Sequence, residues 1–232
     1  MIPSTTRDAT YLLDGILDNE TDLTILEHTT DTAGYTEVIF ALFELLGLSF
    51  APRIRDVGSQ QLYRVKRRIA DATLKPLFKG RINCQLILDC WDEMLRVAGS
   101  LKRGWVTASL LIAKLRSFPE PNRLLQALQE YGRLAKTIFI LRYLNSEDYR
   151  RRINRQLNRG ESMHSLRRFL LFARQGELRR RKQEELANQS HCLTLVTNAV
   201  VVWNTIYMAE VLDYLKQEGY PMSEEDIAHL SP

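Results

Sequence analysis

Apolar residues recur along the first 65 positions at two different spacings. Leu12, Leu13 and Ile16 predict a short helix over 7–18 with one buried side. Leu23, Thr24, Ile25 and Leu26, apolar or β-branched, predict a strand over 23–30. Val38, Ile39, Leu42, Leu45 and Leu46 return to helical spacing, and Gly47 stands where a glycine ends a helix. Leu48, Phe50 and Ile54 alternate, a strand that Pro52 marks as an edge or a bend. A further short strand is expected at "QLYRV", 61–65.

Past residue 70 the strand signals nearly stop. Asn83 opens a helix whose Ile87, Cys90, Trp91, Met94, Leu95 and Ala98 form one apolar stripe. A second helix covers 107–117, ended by Pro119, and a third runs over 122–143. Asn145 with Asp148 marks the start of the next, which is expected to end by Gly160. Another follows from Glu161 to about Ala173, then a basic turn, then an apolar helix over 192–216. Ser223 with Asp226 caps a last short helix. The pattern predicts a sheet fragment at the front and helices thereafter.

With 232 residues, 45% apolar and 26% charged, the chain has the balance of one large globular domain or two small ones. Three cysteines without a CxxC pair fit reduced thiols in the cytoplasm, and Cys84 and Cys90, six apart, do not read as a zinc pair. The N-terminus lacks the basic and apolar regions of a signal peptide. The most apolar window, Leu193 to Leu212, contains Thr194, Thr197, Asn198, Asn204, Thr205 and Glu210. That composition predicts a buried core helix of a soluble protein rather than a membrane span.

The net charge of +4 conceals an asymmetry. Residues 150–186 hold Arg150, Arg151, Arg152, Arg155, Arg159, Arg167, Arg168, Arg174, Arg179, Arg180, Arg181 and Lys182 against four acids. Charged helices are usually solvated faces. Eleven arginines with so few acids favour phosphate instead, because the guanidinium fork binds phosphate through two donors. Nucleic acid is the expected partner.

Two carboxylates stand out. Asp31 lies in "EHTTDTAG", 27–34, at a strand-to-helix joint. It is either a helix cap or a metal ligand at the mouth of a sheet, and on this stretch alone the cap is the better reading. His28 in the same stretch reads as a packing or hydrogen-bonding group. Glu161, in "NRGE", is either a first-turn glutamate favoured by the helix dipole or an acid facing DNA phosphates across a divalent cation.

Four stretches carry a resemblance: residues 4–56 ("STTRDATYLLDGILDNETDLTILEHTTDTAG…APRIRD"), "WDEMLRVAGSLKRGWVTASLLIAKLRS", "LRYLNSEDYRRRINRQLNRGESMHSLRRFL" and "CLTLVTNAVVVWNTIYM". Together, and in this order, they resemble the C-terminal catalytic region of the Tn-three-family replicative transposases. The resemblance implies an RNase H-like core with an Asp-Asp-Glu triad. Its second aspartate matches Asp31 and its glutamate matches Glu161, with a helical insertion between. It therefore implies catalytic and metal-binding roles for these two residues. Two Mg²⁺ ions are implied in the complete site, and double-stranded DNA, both transposon ends and target, as substrate. The complete enzyme is expected to be a homodimer in the cytoplasm, with no membrane partner.

The expected fold class is mainly α with a small β part. An incomplete RNase H-like core over 1–70 is followed by a helical insertion over 71–145. Residues 146–232 then supply the Glu-bearing helix, the arginine segment and C-terminal helices that complete the core. The family's first aspartate lies upstream of the helix at 7–18. On the resemblance the chain is thus a C-terminal piece of a DNA transposase, a truncated product or a mis-assigned start. It is expected to be inactive alone; the alternative is a non-catalytic DNA-binding remnant. Arg150, Arg151, Arg152, Arg155, Arg159, Arg167, Arg168, Arg179, Arg180 and Arg181 are the expected DNA contacts.

Overall fold

Side-chain caps set several of the helix starts in the computed structural model, which describes residues 9–31, 35–66, 75–119, 122–172 and 182–230. Asn83 accepts the Leu86 amide and starts α3 (Cys84–Asp89). Thr107 does the same for Leu110 at the start of α5 (Ala108–Arg116), and Asn122 for Leu125 at the start of α6 (Arg123–Asn145). Each cap satisfies an amide that has no partner in the first turn. Ser223 and Asp226 form a reciprocal capping box on α9 (Glu224–His229), as the sequence predicts.

The chain is mainly α with a small β part, and falls into two compact units, Ile2–Asn158 and Arg159–Pro232. In the first, α1 (Ala9–Leu17) buries Leu13, and α2 (Glu37–Leu45) buries six consecutive residues, Val38 to Phe43. Gly47, with φ of 74°, turns the chain off α2 in the left-handed region that glycine enters without a Cβ clash. Phe50 packs edge to face on Phe40 and tilted on Phe43, with ring centroids 5.0 and 4.6 Å apart, and Phe139 of α6 lies against Phe40. The α2–α6 approach is close because Gly132 presents no side chain: a Cβ there would stand 1.7 Å from the Glu37 carbonyl oxygen.

Two parallel two-stranded ladders flank this core. β1 (Glu27–His28) pairs with β2 (Ser49–Phe50), and β3 (Leu62–Arg64) with β4 (Phe78–Arg81). Thr137 of α6 joins the second ladder by accepting the Tyr63 amide at 3.1 Å. The strand expected over 23–30 is thus only two residues long, and Leu23 and Leu26 are exposed. β4 carries no alternation that would announce it, since Phe78 is its only large apolar residue.

Three further expectations are corrected. The stripe from Ile87 to Ala98 is split at Cys90 between α3 and α4 (Trp91–Lys102), and Leu95 is exposed. Gly160 breaks nothing: α7 runs from Glu147 to Leu170 as one helix, because a single glycine in a good helical context lowers propensity by only about 1 kcal/mol. α8 (Gln183–Gln217) is not a buried core helix. Thr197 is buried, but Leu195 and Trp203 are 72% and 63% exposed, and Trp203 stacks on Tyr207, itself exposed. By length and composition Glu184–Gln217 is apolar enough to cross a membrane.

Candidate active site and nucleic-acid interface

The β1–β2 ladder positions Asp31. Beyond the paired strands the backbone bonds continue, from the Ala51 amide to the His28 carbonyl at 2.9 Å and from the Arg53 amide to the Thr30 carbonyl at 2.8 Å. These bonds hold Asp31 just past the end of β1, at the rim of the first unit. Its carboxylate is 67% exposed and accepts a hydrogen bond from Arg53 Nη2 at 2.9 Å. It is not seen capping α2, whose N-cap is Thr36 and has no side-chain cap bond. Beside it, Thr30 Oγ1 is buried with no hydrogen-bond partner among the described residues.

His28 turns toward the core, its ring 6.2 Å from that of Phe43. Burial holds its pKa below the ordinary 6.5, so the packing role expected of it stands. Glu27, on the other side of the strand, is half-buried. It accepts hydrogen bonds from Arg152 Nη2 at 2.9 Å and from the Tyr149 hydroxyl at 3.4 Å. Arg152 also lies over the Tyr149 ring. Desolvation, then the Glu27 charge, raises the Tyr149 pKa.

In the second unit, Glu161 is exposed within α7 rather than in a first turn, so the helix-dipole reading of it fails. The Ser165 hydroxyl donates to its backbone carbonyl.

The arginines divide by what they touch. Arg150 donates to the Tyr143 and Leu144 carbonyls at 2.7 and 2.8 Å, closing the end of α6. Arg151 pairs with Glu147 one turn back, and Arg167 donates to Thr194. Arg155, Arg159 and Arg168 are exposed and have no ion pair or hydrogen bond among the described residues. Arg179, Arg180 and Arg181 lie outside the described residues.

All 232 residues match the family model described as "Tn3 transposase DDE domain". This chain belongs to that family. It is 44% identical over 232 residues to the transposase for transposon gamma-delta of Escherichia coli, covering 100% of this chain and 23% of the relative. It is 47% identical over 226 residues to the transposase for transposon Tn501 of Pseudomonas aeruginosa, covering 97% of this chain and 23% of the relative. The transposase for transposon Tn1546 of Enterococcus faecium is 43% identical, again over 100% of this chain and 23% of its own length. The chain thus spans about a quarter of the curated relatives it matches.

Membership in a DDE transposase family implies use of a divalent metal. Asp31 and Glu161 offer the hard, solvent-facing carboxylate oxygens that such an ion takes, so the donor chemistry fits. Among the described residues no three His, Cys, Asp or Glu side chains gather around one point. The contact that sequence reasoning missed is that of Arg53, which sits outside the arginine-rich segment and is brought to Asp31 by the ladder.

Proposed function

We propose that this chain forms the Asp31- and Glu161-bearing part of a cytoplasmic, homodimeric DNA transposase. That enzyme would cleave and transfer strands of double-stranded DNA, transposon ends into target, in replicative transposition. The observation that carries the reading is the match of the DDE family model to every residue from 1 to 232. Residues 71–145 act in it as a helical insertion between the aspartate-bearing and glutamate-bearing parts. Two Mg²⁺ ions, when bound, would supply an activated water or 3′-hydroxyl and charge stabilisation at the leaving oxygen.

The chain's own residues do the rest. Asp31 and Glu161 contribute carboxylate oxygens, and Arg53 aims the first of these. Arg155, Arg159 and Arg168, each exposed on α7, meet DNA phosphates. The Glu27–Tyr149–Arg152 group ties β1 to the first turns of α7 within the first unit. Non-catalytic DNA binding is the second reading, favoured by the lack of a three-ligand cluster among the described residues.

The test uses a Tn3-family transposase whose matching segment is replaced by this chain. Asp31→Asn or Glu161→Gln is expected to abolish strand cleavage and leave DNA binding in place. Undiminished cleavage by either variant removes that residue from the active site. A wild-type chimera that binds but never cleaves supports the second reading.

A further inference from the structure

Trp105 is a large apolar side chain held in the open. It stands in the turn between α4 and α5 and is 71% exposed, with the Arg103 guanidinium carbon 5.0 Å from its ring centroid. We propose that this turn is a further nucleic-acid contact: the Trp105 indole stacks on an unpaired DNA base, and Lys102 and Arg103 meet the flanking phosphates. The inference rests on the reading of the chain as part of a DNA transposase, and adds a contact outside the arginine-rich segment.

The backbone fixes where the ring stands. Gly104, with φ of 68°, ends α4; its amide donates to the Leu101 carbonyl and the Trp105 amide to the Ser100 carbonyl, each at 3.0 Å. Such a pair of bonds frequently comes with an apolar contact from the residue after the glycine back to the last helical turn. The positions that would receive it here are Gly99 and Ser100, which offer no apolar side chain. Two residues on, Thr107 caps α5 and Asp14 holds the Ala108 amide, so the turn is anchored at both ends. The indole is placed by the main chain and left without an apolar partner on its own helix.

The surroundings select the partner. Lys102 and Arg103 are exposed and make no ion pair among the described residues. Asp14 and Asp18 line a cleft with Gly104, Val106 and Thr107, but Asp14 is taken up by the Ala108 and Ser109 amides and neither acid pairs with the two cations. An aromatic ring flanked by cations suits a partner that is both flat and anionic, which is a nucleotide. An unpaired base presents a face to stack, whatever the sequence, whereas a base in a duplex keeps its faces in the stack. Duplex DNA would use the cations and leave the indole idle.

An oligothymidine titration of the 232-residue chain tests this, read as quenching of tryptophan emission in a Trp203→Phe background, where half-buried Trp91 is the other indole. The oligonucleotide is expected to quench, and Trp105→Phe to abolish the quenching while keeping Kd within about threefold, because a phenyl ring still stacks. Trp105→Ala should weaken single-strand binding about tenfold with an unchanged salt slope. Trp105→Leu, apolar but not aromatic, should do the same and stands in should the alanine variant misfold. Lys102→Ala and Arg103→Ala should each flatten the log–log salt slope by about 0.7. A blunt duplex should bind the wild type and Trp105→Ala alike. Unquenched emission, or equal oligothymidine affinity in the wild type, Trp105→Ala and Trp105→Leu, would overturn this contact alone if the duplex still binds. Failure of both single-stranded and duplex DNA to bind would remove the DNA reading, and this proposal with it.

Discussion

Asp14 of α1 caps α5 from 94 residues away: its Oδ1 accepts the Ala108 amide at 2.5 Å, and both its carboxylate oxygens lie 3.3 Å from the Ser109 amide. The interaction supplements the local cap from Thr107 and fastens the N-terminal helix to the helical region. Asp14→Ala is expected to cost about 1–2 kcal/mol, as removal of a helix cap does. Thermal unfolding followed by circular dichroism should show a midpoint lower by several degrees. An unchanged midpoint would mean that Thr107 alone suffices.

Gly132→Ala should be worse. Its Cβ would enter the Glu37 carbonyl, so α2 and α6 would have to separate along their shared apolar surface. Overpacking of this sort costs about 1–3 kcal/mol, and a backbone obstacle puts this site at or above the upper end. Urea unfolding should show a lower midpoint with an unchanged slope; a midpoint equal to wild type would contradict the close approach.

At Gly160 the opposite outcome is expected. The residue lies inside α7 and a Cβ there meets nothing within 4 Å. Gly160→Ala should therefore stabilise the helix by about 0.5–1 kcal/mol, through the smaller entropy of the unfolded chain. Reduced stability would show that the glycine has a role the helix does not display.

These three sites also mark how far the sequence can be read. Asn83 and Ser223 announce their helices because a cap is an interaction over three residues. The aromatic and aliphatic run at 38–43 is equally legible as core. Asp14 to Ala108, Gly132 to Glu37 and Arg53 to Asp31 are not, since no local pattern says which distant backbone a residue will meet. Gly160 misleads because a glycine's effect depends on whether the flanking turns hold. The exposure of Leu195 and Trp203 is hidden for a different reason: apolarity reports a wish for cover, not its presence. Asp31 and Glu161 emerge only through motif resemblance. Their type and spacing alone leave capping and solvation as adequate readings.

The arginines should separate in a salt titration of DNA binding. Arg155, Arg159 and Arg168 are exposed, and changing all three to alanine should flatten the log–log salt slope by up to about 0.9 for each phosphate no longer neutralised. Arg150→Ala should leave the slope unchanged and instead lower stability by about 1–2 kcal/mol, because its guanidinium closes the end of α6. An unaltered slope in the triple variant would make these three arginines merely solvated.

His28 predicts a pH dependence. Its pKa in the folded chain lies below 6.5, so the unfolded chain takes up the proton first as pH falls. Its contribution to stability is therefore level above about pH 7 and declines below 6.5, until the folded-state pKa is reached. His28→Gln should remove this part of the decline. Denaturation midpoints of the two proteins, compared from about pH 5 to pH 8, should differ in slope only on the acid side.

An unbroken α7 turns the spacing between its residues into a screw thread. Ile153 is the buried residue of that helix, and Glu161 follows it eight positions later. Each residue of an α-helix turns about 100° and advances about 1.5 Å. One residue inserted or deleted between them would thus swing the Glu161 carboxylate by more than a quarter turn, with no local clash to register the error. Substitutions along 154–160 can be absorbed as changes of surface, but changes of length cannot. Along 154–160 the number of residues, more than their identity, fixes where around α7 the Glu161 side chain emerges.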